Sequence, residues 1–174
     1  MAITPDTKDW TRVLEQPCEE CGFDSARINR QETGRLIRES ANEWAHVLDR
    51  ENVGVRSRDD KWSDLEYACH VRDVYQILDQ RLALMLAEDD PTFQNWDQDE
   101  TAVADRYDLQ DPRTVKEKLR AAAESYAERY DVVTDSQWPR PGRRSNGSLF
   151  TVESLASYGL HDVVHHLWDV AVTN

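Results

Sequence analysis

Four long segments of this 174-residue chain repeat apolar residues at helical intervals, and this pattern restricts the fold more than any other feature. In the first segment Ile37, Trp44 and Leu48 stand seven and four residues apart, which places them on one face of an α-helix. The segments cover about residues 30–50, 63–87, 111–132 and 151–172. Because strand-type alternation is almost absent, we predict an all-α fold, a four-helix bundle with an irregular N-terminal arm.

Local signals mark where the helices begin. Ser63 and Glu66 have the spacing of a capping box, and Asp111 precedes Pro112 as an N-cap precedes a first-turn proline. A short extra helix is predicted from Thr101. The chain divides into an arm, residues 1–26, and a bundle, residues 27–174, and the Pro- and Gly-bearing stretch 134–150 is predicted to be a loop.

The composition excludes several classes of partner. The net charge is −13, from 34 acidic and 21 basic residues, which disfavours duplex nucleic acid and anionic membrane surfaces because both are bound largely through cations. No apolar run is long enough to cross a bilayer, and the N-terminus lacks the apolar core of a signal peptide. We expect a cytoplasmic protein that acts on a small molecule and forms a homodimer. Three cysteines fit a reducing compartment.

The histidines predict a metal site. His161 and His165 are four residues apart, so both rings lie on one face of the last helix. His70 follows the start of the second helix, among inward-facing apolar residues. These three are the predicted ligands of a divalent ion, zinc with nickel as a substitute, and three protein ligands leave open positions for chemistry. The competing interpretation is a polar seam on a buried helix.

Other residues near these histidines have alternative interpretations. Asp162 and His166 form a second pair four residues apart, rotated by about 100° from the first, and could ligate instead or orient a ligand. Cys18 and Cys21 could be a redox pair, half of a zinc site completed by histidine or a second subunit, or structural packing, which we favour. Cys69 is predicted to lie in the core.

Three arginines form a basic island in the acidic chain. Arg140, Arg143 and Arg144 lie in the predicted loop that leads into the last helix. They could simply be solvated. Alternatively they could hold the carboxylates of a thiol cofactor or substrate near the metal, because guanidinium groups suit carboxylates.

Two segments carry a resemblance to a known family: WSDLEYACHVRDV, residues 62–74, and YGLHDVVHHL, residues 158–167. Their order resembles the DinB-like (DinB/YfiT) superfamily, which includes mycothiol- and bacillithiol-dependent S-transferases and maleylpyruvate isomerases. The resemblance covers roughly residues 30–172. It implies a bundle with a divalent metal held by His70, His161 and His165. The Pro17–Asp24 segment resembles actinobacterial members, which implies mycothiol as the thiol.

The functional prediction is a metal-dependent thiol S-transferase or isomerase that acts on small electrophiles. One alternative is a stress-associated dimer that binds metal or ligand without catalysis. The other is a metal-dependent hydrolase, which needs a general base, and Asp73 and Glu66 lie near His70 in sequence.

Overall fold

The computed structural model describes residue 3 and residues 8–171, and confirms the predicted bundle. Its four long helices pack around one apolar core that contains Trp44, Tyr75 and Tyr126. They are α1 (Thr33–Val47), α2 (Asp64–Ala87), α4 (Pro112–Asp131) and α5 (Val152–Ala171), and a short α3 (Gln98–Ala104) lies between α2 and α4. The predicted end of the last helix, Val172, lies outside the described residues. None of the helices in the described ranges is both long and apolar enough to cross a bilayer.

The predicted starts of α2 and α4 are confirmed, whereas the short helix predicted from Thr101 begins at Gln98. At α2 the Ser63 side chain accepts a hydrogen bond from the Glu66 backbone, and the Glu66 carboxylate accepts one from the Ser63 backbone at 2.8 Å. At α4 the carboxylate of Asp111 accepts from the Thr114 backbone at 2.8 Å, with Pro112 in the first turn. These caps satisfy backbone groups that a helix start leaves unpaired.

A small sheet corrects the prediction of a loop at 134–150. It contains β1 (Thr92–Phe93), β2 (Pro141–Arg144) and β3 (Leu149–Thr151). The central β2 runs parallel to β1 and antiparallel to β3. Strands of two to four residues are too short to produce a period-two pattern, which explains why no strand was predicted there.

The N-terminal arm lies against the bundle. Its 3₁₀ helix Trp10–Leu14 packs on α5, and two further 3₁₀ turns, Ser25–Arg27 and Arg30–Glu32, connect the arm to α1. Val13 and Cys18 of the arm are buried. The arm therefore brings the CxxC segment next to the last helix.

Gly159, two residues before His161, lets α5 approach α2 closely. A Cβ at this position would stand 2.4 Å from a methyl group of Leu78 and 3.1 Å from the Tyr126 hydroxyl. The absence of a side chain therefore sets the helix spacing that brings α5 residues near His70.

Replacement of Gly159 by alanine should destabilise the protein. Leu78 is buried and must shift to admit the methyl group, and such overpacking typically costs about 1–3 kcal/mol. Urea denaturation measures the change. The control is Gly54→Ala, whose Cβ would meet only ordinary contact at 3.7 Å. Equal stabilities of the two variants would show that α2 and α5 can move apart without a loss of folding free energy.

Candidate metal centres

Helix α5 presents two pairs of metal-ligating side chains on adjacent faces. His161 and His165 form one pair, and Asp162 and His166 form the other, each with a spacing of four residues. Successive residues of a helix are rotated by about 100°, so the two pairs point in different directions. The structure places the first pair against the N-terminal arm and the second pair against α2.

The second pair meets His70 of α2 around one carboxylate oxygen. Asp162 Oδ1 lies 3.4 Å from His70 Nε2 and 3.7 Å from His166 Nε2. One ligand atom from each of the three residues lies within 4.8 Å of the others. For tetrahedral zinc, nitrogen and oxygen ligands should be roughly 3.4 Å apart. The three residues, called the His70 cluster below, therefore fit the ligand spacing of a single ion.

A buried carboxylate oxygen supports ligation at the His70 cluster. Within the described residues, Asp162 Oδ1, which lies between the two rings, is buried without a well-aligned hydrogen bond, which normally costs free energy. His166 directs Nδ1 at Asp169 Oδ2, 2.8 Å away. That contact fixes the ring so that Nε2 carries the lone pair, as outer partners of metal-bound histidines do.

The electrostatics of the His70 cluster suit a cation. Burial lowers the pKa of His70, so the ring is neutral and able to ligate. Burial alone would raise the pKa of Asp162, but the His70, His166 and His161 rings hold it at about 2. A neutral His70 ring beside an ionised carboxylate offers a divalent ion both a lone pair and a negative charge.

The first pair meets the two cysteines of the arm. Cys18, Cys21, His161 and His165 each bring one ligand atom within 4.8 Å of the others. Cys18 Sγ lies 3.6 Å from His165 Nδ1. Burial lowers the pKa of His161 to about 4, so this ring is also neutral. We call these four residues the Cys2His2 cluster.

The three predicted ligands are therefore distributed over two clusters. His70 lies with Asp162 and His166, whereas His161 and His165 lie with the cysteines. That His70, His161 and His165 share one ion stays a prediction. The sequence contained a signal for each cluster. Asp162 and His166 have the same spacing as His161 and His165, and a CxxC segment with two histidines makes a common zinc donor set.

Both clusters border one cleft. It has a volume of about 220 Å³, and Asp162, His165 and His166 contribute to its wall. The other lining side chains include lysines, acids and aromatic rings from the arm, α2, α3 and α5: Lys8, Trp10, Glu20, Lys61, Trp62, Tyr67, Asp99, Tyr158 and Asp169. Trp62 and Trp96 pack against the His70 ring, the latter nearly parallel at 5.3 Å.

The three arginines of the predicted island have different surroundings. Arg140 donates to the carbonyl oxygens of Met85 and Glu88, each at 2.6 Å, and so caps the C-terminus of α2. Arg143 forms an exposed ion pair with Asp90. Arg144 lines a small cavity of about 50 Å³ together with Arg81 and Asp162. Arg81, which the sequence analysis did not select, is buried there.

The two carboxylates considered as general bases point elsewhere. Glu66 pairs with Arg56 and caps α2. Asp73 accepts hydrogen bonds from Arg72 and Tyr107. Neither side chain lines the cleft beside the His70 cluster.

Comparisons with known proteins agree on the fold. The sequence pattern of the DinB superfamily matches residues 35–170. Among solved structures, YfiT from Bacillus subtilis matches with a TM-score of 0.72 and 17% sequence identity, over 90% of this chain and 91% of YfiT. YfiT is described as a probable metal-dependent hydrolase with an unusual four-helix bundle topology. No curated protein matches the chain. Since the family pattern extends from α1 into the last turn of α5 and covers both clusters' α5 residues, the chain belongs to the DinB superfamily.

Proposed function

We propose that this protein is a metal-dependent enzyme that transfers a small thiol to electrophilic substrates, with the His70 cluster as its catalytic centre. The observation that carries the proposal is the convergence of two ring nitrogens on the buried oxygen of Asp162 beside an open cleft. Three protein ligands are typical of catalytic metal sites, which keep an open position, whereas structural sites are closed by four.

A divalent ion at this position supplies Lewis acidity, which lowers the pKa of a thiol or water molecule held beside it. The protein contributes the fixed geometry. Asp169 orients the His166 ring through Nδ1, while Trp62 and Trp96 enclose the His70 ring. These contacts hold the nitrogens in position before any ligand arrives, which is the main task of residues around a catalytic ion.

The cleft has room for the sulfur-bearing end of a thiol together with a small electrophile. Its volume of about 220 Å³ is below the range of roughly 300–1,000 Å³ typical of sites for drug-sized ligands. In the proposed transfer, the thiol sulfur forms a bond to an electrophilic carbon. The leaving group departs with its electron pair, and the thiol proton passes to water. The resemblance of Pro17–Asp24 to actinobacterial members supports mycothiol as the thiol.

Hydrolysis is the second candidate, because the cleft is lined by carboxylates, the residue type that serves as a general base. Asp99 and Asp169 both line the cleft, and hydrolysis requires a base within hydrogen-bond reach of the attacking water. A site that binds metal without turnover would correspond to the non-enzymatic alternative.

An activity assay tests the proposal. Metal-free protein is reconstituted with zinc or nickel and incubated with mycothiol and 1-chloro-2,4-dinitrobenzene, and in parallel with small esters and amides. We expect metal-dependent thioether formation that His166→Ala abolishes. The matched control is His46→Ala, because His46 is an exposed histidine of α1. Metal-dependent ester or amide cleavage without thiol transfer would instead establish the hydrolase.

Arg144 should contribute to the binding of substrates that carry a carboxylate. It lines a cavity with Arg81 and Asp162 and donates hydrogen bonds to the neutral side chains of Asn146 and Ser148, whereas Arg143 forms an ion pair with Asp90 on the surface. Arg144→Ala should weaken the binding of maleate, a small dicarboxylate, by about 1.5–3 kcal/mol for a lost charge-assisted hydrogen bond, with metal content unchanged. Isothermal titration measures the affinity, and Arg143→Ala is the control. Equal affinities of the two variants would leave Arg144 with a structural role only.

A further inference from the structure

We propose that Cys18, Cys21, His161 and His165 bind a second ion, a structural zinc that fixes the N-terminal arm to helix α5. This inference concerns a different set of residues from the proposed catalytic centre and does not rest on enzymatic activity. The four donors come from two elements far apart in sequence, the arm and the last helix, and their ligand atoms lie within 4.8 Å of one another.

The distances and burial fit tetrahedral zinc. With bonds of about 2.3 Å to sulfur and about 2.0–2.1 Å to nitrogen, a sulfur and a nitrogen ligand lie roughly 3.6 Å apart. Cys18 Sγ and His165 Nδ1 are separated by 3.6 Å. His161 is 3% exposed, and its Nε2 atom is buried without a hydrogen-bond partner among the described residues. Both cysteines are free thiols.

The CxxC segment forms a tight turn suited to two thiolate ligands. The backbone N–H of Gly22 donates to the Cys18 carbonyl at 2.9 Å, and the Cys18 N–H donates to the Phe23 carbonyl at 2.8 Å. Gly22 has a φ of 75°, in the left-handed region that favours glycine. The turn therefore directs both sulfur atoms to the same side, towards α5.

Charge and ring orientation support the same assignment. Two thiolates balance the two charges of zinc, and two neutral rings complete a site of zero net charge, which suits burial. Each thiol releases its proton when the metal binds. His165 Nε2, the nitrogen turned away from Cys18, faces carboxylate oxygens of Glu20 and Asp169 at 3.6 and 3.9 Å, as the outer nitrogen of a zinc-bound histidine commonly does.

Four protein donors leave no open position, so this ion would be structural. Its role follows from the residues around it. Trp10 packs on both the His161 and His165 rings, with centroids at 5.2 and 4.7 Å, and Lys8, Trp10 and Glu20 form one wall of the cleft. Zinc would therefore keep that wall in place.

Cobalt substitution tests the site with a readout independent of activity. Cobalt(II) at a tetrahedral S2N2 site gives thiolate-to-metal charge-transfer absorption and intense visible bands, because thiolates bind directly. We expect these bands in metal-free protein titrated with cobalt, and their retention in His70→Ala. They should be lost in Cys18→Ser/Cys21→Ser. Absence of the bands in the wild type, or their persistence in the double serine variant, would overturn the proposal.

A second measurement uses the wild-type chain, so it does not depend on whether a variant folds. Zinc-loaded and chelator-treated protein are exposed to a maleimide and to trypsin, and the products are mapped by mass spectrometry. We expect zinc to protect Cys18 and Cys21 from labelling and to slow cleavage at Arg12 and Arg27. With free zinc at 100 times its Kd, the population of the open arm should fall about 100-fold. Equal labelling with and without zinc, or a Cys18–Cys21 disulfide in zinc-loaded protein kept in a reducing buffer, would contradict the site.

Discussion

Asp162→Asn is expected to remove one equivalent of bound metal and to abolish thiol transfer. Asparagine keeps the shape of the side chain but loses the charge that lies between the His70 and His166 nitrogens. Loss of an outer partner of a metal ligand already weakens affinity by about 10–100-fold, so loss of a direct ligand should cost more than about 100-fold. Competition with a chromophoric chelator measures the affinity, and elemental analysis measures the metal content.

The matched control is Glu153→Gln, which also converts a carboxylate to an amide, at an exposed position of the same helix. It should leave metal binding and activity unchanged. The cobalt bands of the Cys2His2 cluster should persist in Asp162→Asn, because this cluster does not include Asp162. If Asp162→Asn kept its full metal affinity, the ion would be held by other residues, and the set of His70, His161 and His165 would become the favoured assignment.

Arg72→Leu is expected to destabilise the fold by about 3–5 kcal/mol, because it leaves a buried carboxylate without its cation. Arg72 and Asp73 are 6% and 8% exposed, and they share two hydrogen bonds of 2.7 and 3.0 Å. Tyr107 donates to the same carboxylate, and Gln110 accepts from Arg72 at 2.6 Å. Chemical denaturation, followed by circular dichroism, measures the loss.

Two variants make this result interpretable. Arg58→Leu breaks an exposed ion pair with Asp60, which should cost no more than about 1 kcal/mol. Arg72→Leu/Asp73→Asn removes the unpaired charge and should recover part of the stability, so the two changes should not be additive. A loss below 1 kcal/mol in Arg72→Leu alone would mean that water reaches Asp73 in the folded protein.

The bundle could be predicted because its helices have strong periodic patterns and local start signals. Ser63 with Glu66 and Asp111 with Pro112 mark helix starts through contacts within one turn, so neighbouring residues suffice to identify them. The small sheet could not be predicted, because β1 and β2 lie about 50 residues apart in sequence and pair through only two positions. Such pairing depends on the closure of the bundle and not on local preference.

The residues of the candidate site could be predicted from the sequence, but not which of them lie together. The spacing of four residues identified both His161 with His165 and Asp162 with His166 as pairs on one face. Which pair meets His70 depends on the rotation of α5 about its own axis, and a difference of one residue changes this by about 100°. That rotation is set by long-range packing, such as the contact of Gly159 with Leu78. The approach of Cys18 to His165 across 147 residues is likewise a tertiary property.

The one-residue offset between the two pairs also limits how α5 can move. A helix that is attached along one face can roll about its axis or slide by a fraction of a turn while its partner side chains adjust. Here the 161/165 face meets the arm and the 162/166 face meets α2, at an angle of about 100°. Any roll that relaxes one set of contacts stretches the other. The two faces together therefore define a single rotational setting of the helix, within the tolerance of two sets of short contacts.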